Sequence, residues 1–555
     1  MSYFSTRALH LFPSYALKPE KEKELDIFLQ FLDRSEVGDL LISDDLNWNK
    51  SSGGRPNINI YSLFATILYS FTFDKGTLRD ISSKCEYDLR YMYLMNGVTP
   101  SFKTIGNFIN HFILPNIDAI FTCLTKKMIE ELDINTDTVY IDGTKIEADA
   151  NKYKFVWKPT TFHKRLCTKI RNLLELIKLA DDLPDDEIFS SEIIADKLSV
   201  FGSMIEDDDK VKKKQYDSLF KYLEKAIEYE EKEEICGPDR NSYYKTDHDA
   251  TAMTLKTDYY SGLGSSMHAA YNVQIVVANS LIVERIVSQN RNDISDFINV
   301  IETFYKSFGR YPESVCADAG YGSFQNYRYL DKKRINSYVK SQSWQGNISG
   351  RNPDSYRVLE DGSLICLNGN YGYKVEIENR HPKKRDSVFY RVNGCNDCLF
   401  NTYCKRWQKI KDEDYKIFEV DVYGSKLKRR TEENLLSKEG IIKRVNRSIQ
   451  VEGAFGSIKY NLGYNRFRRT NLDKVKLEFT LTILGYNFRK FFKYIKGENI
   501  KTEWRPSKDI KEEIFKKPSA KRLRNKILKR KTKSENQKAK DNYKYKSNRK
   551  RGGKT

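Results

Sequence analysis

The hydrophobic period of this chain changes at Val139, and that change limits what it can fold into. Upstream, apolar residues recur every three or four positions, as in Ile60-Tyr-Ser-Leu-Phe-Ala-Thr-Ile-Leu-Tyr69, which predicts helices. Downstream, Val139-Tyr-Ile-Asp142 alternates like a strand, with Val139 and Ile141 on one side and Tyr140 and Asp142 on the other. Residues 268–278 and 280–288 predict a hairpin turning at Asn279. A helix over 293–308, a strand over 314–317, a helix near 324–333 and a strand over 336–339 follow. This alternation predicts an α/β fold.

Around that unit lie segments of other character. Arg55-Pro56 precedes the first apolar helix, a second is predicted from Thr77 through Ser83, and a third from Ser101 to Ile113. The third would bury Phe102, Ile105, Phe108, Ile109 and Phe112. Its opposite face shows Lys103, Thr104, Asn107, Asn110 and His111, side chains able to bond phosphates and base edges. A helix-turn-helix reader and a plain helical bundle both fit that pattern. From Thr160 to Glu234 the chain predicts an inserted helical hairpin, with Leu173, Leu174 and Ile177 on one arm and Leu219, Phe220, Leu223 and Ile227 on the other. Late in the chain, Asn461–Thr470 is basic and polar with Tyr464 and Phe467 interleaved. A buried helix is predicted from about Asp473 to Phe488.

Charge and length narrow the class. A chain of 555 residues with 39% hydrophobic content is too long for one core and predicts two to four domains. Residues 516–555 hold 18 Lys and Arg against two acids, so +16 of the +20 net charge sits in a tail with few apolar residues. Such a tail is expected to be disordered alone and to bind a polyanion, nucleic acid first. No apolar run reaches the roughly 18 residues of a membrane span, Ile60–Phe73 coming nearest. The first residues lack the apolar core of a signal peptide, so a cytoplasmic protein is expected.

Nine cysteines without a secretion signal argue against a disulfide framework. Four of them cluster: Cys395-Asn-Asp-Cys398 is a C-x2-C knuckle, and Cys366 and Cys404 can complete a tetrahedral structural zinc site. Free thiols are the alternative reading.

Three carboxylates stand in suggestive settings. Asp142 lies on the first strand, Asp318 at the carboxyl end of a later one, and Glu452 within a helix over Arg444–Lys459. Seven residues separate Glu452 from Lys459, so on a helix they lie within about 20° of each other. Val445, Ser448 and Phe455 share that face, which predicts an inward-facing acid backed by a cation. Taken singly, each acid has an ordinary explanation: a hairpin turn at Asp142-Gly143, a turn at Asp318, a surface charge at Glu452. Together they are three carboxylates that repel unless cations bind between them. Mg²⁺ prefers oxygen ligands, and two such ions suit an in-line displacement at phosphorus.

The chain resembles the DDE transposases of bacterial insertion sequences, in the branch with an InsH-type N-terminal domain. The resemblance covers roughly residues 40 to 490. It rests on RPNINIYSLFATILYSF with PSFKTIGNF, YIDGTKIEADANKYKFVW, TDHDATAM with HAAYNVQ, ADAGYGS, and VEGAFGSIKYNLGYNRFR. It implies an RNase H-like mixed-sheet core with Asp142, Asp318 and Glu452 as catalytic and metal-holding acids. It also implies two Mg²⁺ (or Mn²⁺) ions. The family's helix motif reads tyrosine, two residues, arginine, three residues, glutamate, six residues, lysine. Glu452 and Lys459 satisfy its second half; Val445 and Ser448 occupy the tyrosine and arginine positions, with Arg444 and Arg447 beside them.

The implied organisation is a helical DNA-binding domain over 1–130, a core over 135–159 and 240–340, and a helical insertion over 160–239. A Cys-rich, zinc-binding insertion over 341–430 and the core's end over 431–500 complete it; the basic tail over 501–555 is not explained by the resemblance. The implied activity is cleavage at element ends and strand transfer into target DNA by a homodimer on terminal inverted repeats, in a DNA-associated bacterial protein with no membrane partner. Lys459, Arg444, Arg447, Lys103 and Asn107 would contact DNA. A metal-dependent nuclease without strand transfer and a non-catalytic DNA-binding protein are the alternatives.

Overall fold

A helix apolar on every side is stable only when it is covered on every side, and Ile60–Phe73 is such a helix. The computed structural model describes residues 19–41, 58–74, 76–206, 209–238, 240–255, 266–349, 354–377, 387–406 and 413–498. The basic tail and Arg55-Pro56 lie outside the described residues. α1 (Pro19–Arg34) leads to α2 (Ile60–Phe73), which starts where the Asn59 side chain accepts from the free amides of Tyr61 and Ser62. Thr77 caps α3 (Leu78–Tyr87), and Asp88 caps α4 (Leu89–Met95). Ser101 caps α5 (Phe102–Phe108), which passes through a π turn at Ile109–Ile113 into α6 (Leu114–Glu131).

The helix predicted over 101–113 therefore runs for 30 residues, Phe102–Glu131. Among the described residues it, rather than Ile60–Phe73, is the helix long and apolar enough to cross a membrane. Half of that apolar stretch is buried inside the protein, as in a core helix. Ile105, Phe108, Ile109 and Phe112 are buried as predicted. Phe102 is not: it sits at the exposed first turn, beneath the Arg79 guanidinium.

β1 (Thr138–Glu147) opens the sheet, and β2 (Phe155–Trp157) leaves it to pair with β3 (Ser242–Tyr244) as a two-stranded ribbon. The insertion between them is three helices rather than a hairpin: α7 (Thr160–Leu176), α8 (Ser191–Ser203) and α9 (Lys210–Cys236). α8 brings its own stripe of Ile194, Leu198 and Phe201. The buried face of α9 carries Leu219 and Ala226, each one position before the Phe220 and Ile227 that were expected inside and are exposed. β4 (Thr251–Leu255), β5 (Ser266–Ala278) and β6 (Leu281–Ser288) follow, the last two joined through Asn279 and Ser280, both at positive φ. Then come α10 (Asp293–Phe308), β7 (Ser314–Ala317), α11 (Phe324–Lys332), β8 (Asn336–Val339) and α12 (Trp344–Ser349).

The strands form a six-stranded mixed sheet in which β6-β5-β1-β7-β8 lie side by side. β5 runs antiparallel to β1 and β6, while β7 and β8 run parallel to β1. This is the RNase H-like arrangement. β4, which no sequence alternation suggested, extends the outer edge of β5 beyond β6.

The Cys-rich stretch contains a second sheet. β9 (Tyr356–Val358), β10 (Leu364–Cys366), β11 (Tyr371–Val375), β12 (Ser387–Asn393) and β13 (Tyr415–Asp421) form an antiparallel meander around Val358, Leu364, Tyr390, Val392, Phe418 and Val420. α13 (Asn401–Cys404) sits between its last two strands. The chain returns through α14 (Val422–Leu436) and α15 (Lys438–Arg447), then a π turn (Ser448–Glu452), α16 (Gly453–Gly456) and a second π turn (Ser457–Asn461).

α17 (Leu472–Ile495) closes the structure and is buried along most of its length. Phe488 and Phe491 meet Phe28 and Phe31 of α1, with ring centroids 5.0 and 4.6 Å apart for Phe28–Phe488 and Phe31–Phe491. Each fully buried ring contributes about 1.5–3 kcal/mol. Gly485 lets α2 approach: a Cβ there would lie 2.2 Å from the Phe71 carbonyl oxygen. One continuous core thus joins α1 and α2 to the sheet and α17, whereas the three-helix insertion and the second sheet have cores of their own.

Candidate active site

Pairing between β1 and β7 ends with Ile141 opposite Ala317 on parallel strands, and Asp142 and Asp318 are the next residue of each chain, near enough for the charge of Asp318 to act on Asp142. Adjacent strands lie about 4.8 Å apart, and residues on one rung of a parallel pair face the same side. Asp142 Oδ1 accepts from the Gly143 amide (3.0 Å), and Asp318 Oδ1 accepts from the Gly320 amide (2.9 Å), capping a short 3-10 turn. Burial raises the Asp142 carboxyl above the usual carboxylate range; Arg447 opposes that shift, and the charge of Asp318 adds to it. Two carboxylates placed this way favour a cation between them.

Arg447 supplies one cation. Its buried guanidinium lies 3.2 Å from Asp142 Oδ2 and 3.6 Å from Glu452 Oε1. Ser448 Oγ donates to the same glutamate oxygen at 3.1 Å. Arg447 therefore links the first strand to the acid of the late helix. Glu452 itself is 63% exposed, and Val445 is at the surface, so the acid does not share a buried face with Val445. The residues turned inward are Asn446, Arg447, Gln450, Val451, Ala454, Ile458 and, as expected, Phe455. The π turn over 448–452 rotates the helix away from the regular period used to predict the face.

Other predicted residues are placed as follows. Lys459 Nζ reaches β1, donating to Thr144 Oγ1 (2.6 Å) and the Lys145 carbonyl (3.1 Å). Arg444 lies over the Trp344 ring at 5.4 Å, and burial lowers its pKa. Lys103 and Asn107 are exposed on α5, outside this cluster's helix and strands. Cys366, Cys395, Cys398 and Cys404 line one small cavity; Phe400 N–H donates to Cys398 Sγ (3.4 Å), and Lys416 Nζ lies 3.2 Å from Cys404 Sγ. Among the described residues no set of three or more His, Cys, Asp or Glu side chains converges closely enough to hold a metal ion.

Several site residues lie outside the sequence expectations. Gln274 of β5 lies across Gly143, where a Cβ would come within 2.3 Å of its Nε2. That amide donates to Asn272 Oδ1 (3.1 Å) and Asp293 Oδ1 (2.8 Å), and its oxygen accepts from the Tyr321 hydroxyl. Tyr321 is buried, which raises its pKa well above the ordinary value, and Asp293, Asp142, Asp296 and Asp318 raise it further. Lys340, at the end of β8, has its pKa lowered by burial first and by Arg447 second. The available signal was Asn272 and Gln274 themselves, two buried amides at alternate positions of an otherwise apolar strand.

Asp247 and Asp249 have a different task. Asp247 accepts from the Tyr271 hydroxyl (2.9 Å) and the Asn471 amide (3.1 Å), and Asp249 accepts from the Leu472 amide (2.8 Å). Both fix the start of α17. Tyr464 and Phe467 are likewise buried in the core rather than displayed among the basic residues around them.

Comparison with known proteins adds two matches. A family model described as a transposase DDE domain matches residues 365–492, and one described as a transposase domain (DUF772) matches residues 13–111. The first includes Glu452, Arg447, Lys459 and the four clustered cysteines but not the strands bearing Asp142 and Asp318. No curated protein matches the chain. A transposase match at each end of a fold whose centre is an RNase H-like sheet indicates an insertion-sequence DDE transposase.

Proposed function

We propose that this transposase cuts DNA at the ends of its own element and joins the freed ends to target DNA, using divalent ions held by Asp142, Asp318 and Glu452. The observation that carries the reading is the approach of Asp142 and Asp318 where the β1–β7 ladder ends, with Arg447 joining Asp142 to Glu452. The donor set is carboxylate oxygen, which suits Mg²⁺ or Mn²⁺. Such ions, when bound, supply charge stabilisation at phosphorus and acidity to the attacking oxygen.

The chain's own residues do the rest. Asp142 and Asp318 concentrate negative charge at one point of the sheet. Arg447 keeps the half-buried Asp142 partly neutralised and ties Glu452 to it. Lys459 braces the helix on β1 through Thr144 and Lys145. In cleavage, a water oxygen bonds to phosphorus, the 3′ oxygen leaves, and the water's proton passes to solvent. In joining, the freed 3′-hydroxyl attacks a target phosphodiester in the same way. Terminal inverted repeats bound by a homodimer are the proposed substrate, with Lys103 and Asn107 of α5, Arg444, and the basic residues beyond 515 as DNA contacts. The four clustered cysteines are proposed to hold a structural Zn²⁺, supported by their shared cavity.

The test is Asp142→Asn, Asp318→Asn and Glu452→Gln in a Mg²⁺-dependent assay on end-bearing duplexes with a target plasmid. Each should abolish cleavage and joining while duplex affinity stays within twofold of the unaltered protein. Robust cleavage by any one of the three removes that residue from the assignment. Cleavage without joined products by the unaltered protein identifies a nuclease.

A further inference from the structure

The stretch from Asn151 to Arg165, NKYKFVWKPTTFHKR, contains Lys152, Lys154, Lys158, Lys164 and Arg165 and no acid. It also displays aromatic rings that a soluble chain normally covers: Tyr153 is 78% exposed, Trp157 64% and Phe162 60%, and Phe155 is exposed as well. Phe155 and Trp157 are alternate residues of β2 and so share one face of the β2–β3 ribbon. Their rings stand edge to face, centroids 5.3 Å apart at 90°, which holds the indole upright. Lys152 Nζ lies 5.4 Å from the Tyr153 ring centre. Beside them Pro159, Phe162, Tyr229 and Tyr243 line a groove against α9. The acid in that groove, Glu228, is held between Lys225 and Lys232, whereas Lys164 of the basic stretch pairs with Glu187 and Lys158 donates to the Gly237 carbonyl (2.8 Å), which leaves Lys152 and Lys154 beside the exposed rings.

The ribbon's position matters as much as its composition. β1 carries the chain from Asp142 to Glu147, roughly 17 Å at strand rise, and the ribbon continues from there. Its base is tied to the chain beyond the Glu452 helix: Phe467 N–H donates to the Glu147 carbonyl (2.8 Å), and Arg466 pairs with Asp149 (2.9 Å). Exposed rings interleaved with lysines, on the chain that continues from the strand bearing Asp142, form a surface suited to unpaired bases. Every base offers a π-face to stack, and lysines such as Lys152 and Lys154 suit the phosphates between them.

We infer that the aromatic face of the β2–β3 ribbon, centred on Trp157, is a stacking platform for unpaired bases of the DNA strand next to the cut. This rests on the reading of the site as DNA-processing, but its test needs neither metal nor cleavage. Binding of the full chain is measured without divalent ions to two fluorescent probes, a blunt duplex and the same duplex with a single-stranded thymidine tail. The unaltered protein should prefer the tailed probe. Trp157→Ala should lose about tenfold in affinity for the tailed probe and keep its affinity for the blunt one. Trp157→Phe, which retains a ring, should restore most of the preference and controls for misfolding.

Equal binding of both probes by the unaltered protein, or an equal loss on both in Trp157→Ala, overturns the inference. So does a Trp157→Ala variant that keeps the tail preference but sediments as a smaller species, which would assign the face to a second copy of the chain. Loss of cleavage and joining with the tail preference intact would sink the catalytic reading alone.

Discussion

Arg447 and Glu452 are five residues apart in sequence, and their side chains meet at 3.6 Å on one face of the helix. In a regular α-helix five residues rotate a side chain to about 140° from its starting face. The π turn over 448–452, with its longer hydrogen-bonded loop, closes that gap. The arginine one position early for the family motif is thus brought to the glutamate by the backbone. The same turn leaves Ser448, at the motif's own arginine position, hydrogen-bonded to Glu452 as well.

Removing Arg447 leaves the half-buried Asp142 near Asp318 without its counter-charge. Arg447→Ala should lower cleavage by at least about tenfold, a barrier increase near 1.4 kcal/mol, and lower unfolding stability by about 1–3 kcal/mol. Arg447→Lys, which keeps the charge but cannot fork between two carboxylates, should fall between. Single-turnover cleavage and urea denaturation measure both effects. Unchanged values for Arg447→Ala would make the pairing incidental.

Divalent ions should stabilise the folded chain by mass action. At a free Mn²⁺ concentration about a hundredfold above its dissociation constant, the gain is about 2.7 kcal/mol. A rise in melting midpoint is the readout, and the Asp142→Asn/Asp318→Asn double variant should show none. A shift of equal size in the double variant would place the ion elsewhere.

Asp247 is buried, and burial raises its carboxyl above the usual range despite its hydrogen bonds. The folded protein therefore holds that proton more tightly than the unfolded chain does. The stability linked to it is complete below the ordinary carboxylate pKa and is lost as pH rises through the raised value. Asp247→Asn, which keeps an acceptor for Tyr271 and Asn471, should lose less stability than the unaltered protein between about pH 4 and pH 7. Parallel melting curves for the two proteins across that range would contradict it.

Gly143 has no room for a side chain because Gln274 is pinned across it. Gly143→Ala should cost about 1–3 kcal/mol. Adding Gln274→Ala should recover part of that loss, because the two changes share one space. Chemical denaturation of both single variants and the double variant tests this; strictly additive losses would show that the two side chains do not compete.

The clustered cysteines give a compositional test. Purified protein should contain about one zinc per chain, the complement of a single tetrahedral four-thiolate site, and Cys398→Ser should lose it together with some thermal stability. Metal-free protein with an unchanged melting midpoint would leave the four as ordinary thiols.

Much of the fold was legible locally. The β5–β6 hairpin announced itself through Asn279, and the caps at Thr77 and Ser101 mark where their helices start. Fold order followed from alternation because strand and helix periods differ. The errors fall where local pattern is silent. β4 and the meander of β9–β13 are short strands whose pairing depends on neighbours distant in sequence. α9 buries Leu219 as expected but leaves Phe220 and Ile227 exposed, because α7 and α8, not its own composition, decide which side is covered.

Residue order alone determined that acids would stand on a first strand, at a later strand's end and on a late helix, because periodicity and turn chemistry are local. Tertiary structure decided which of them meet. Strand register put Asp142 beside Asp318, and a π turn rather than a regular helix delivered Arg447 to Asp142 and Glu452 together. Register and helical pitch at those points are set by packing between β1, β5, β7 and the late helix, elements far apart along the chain.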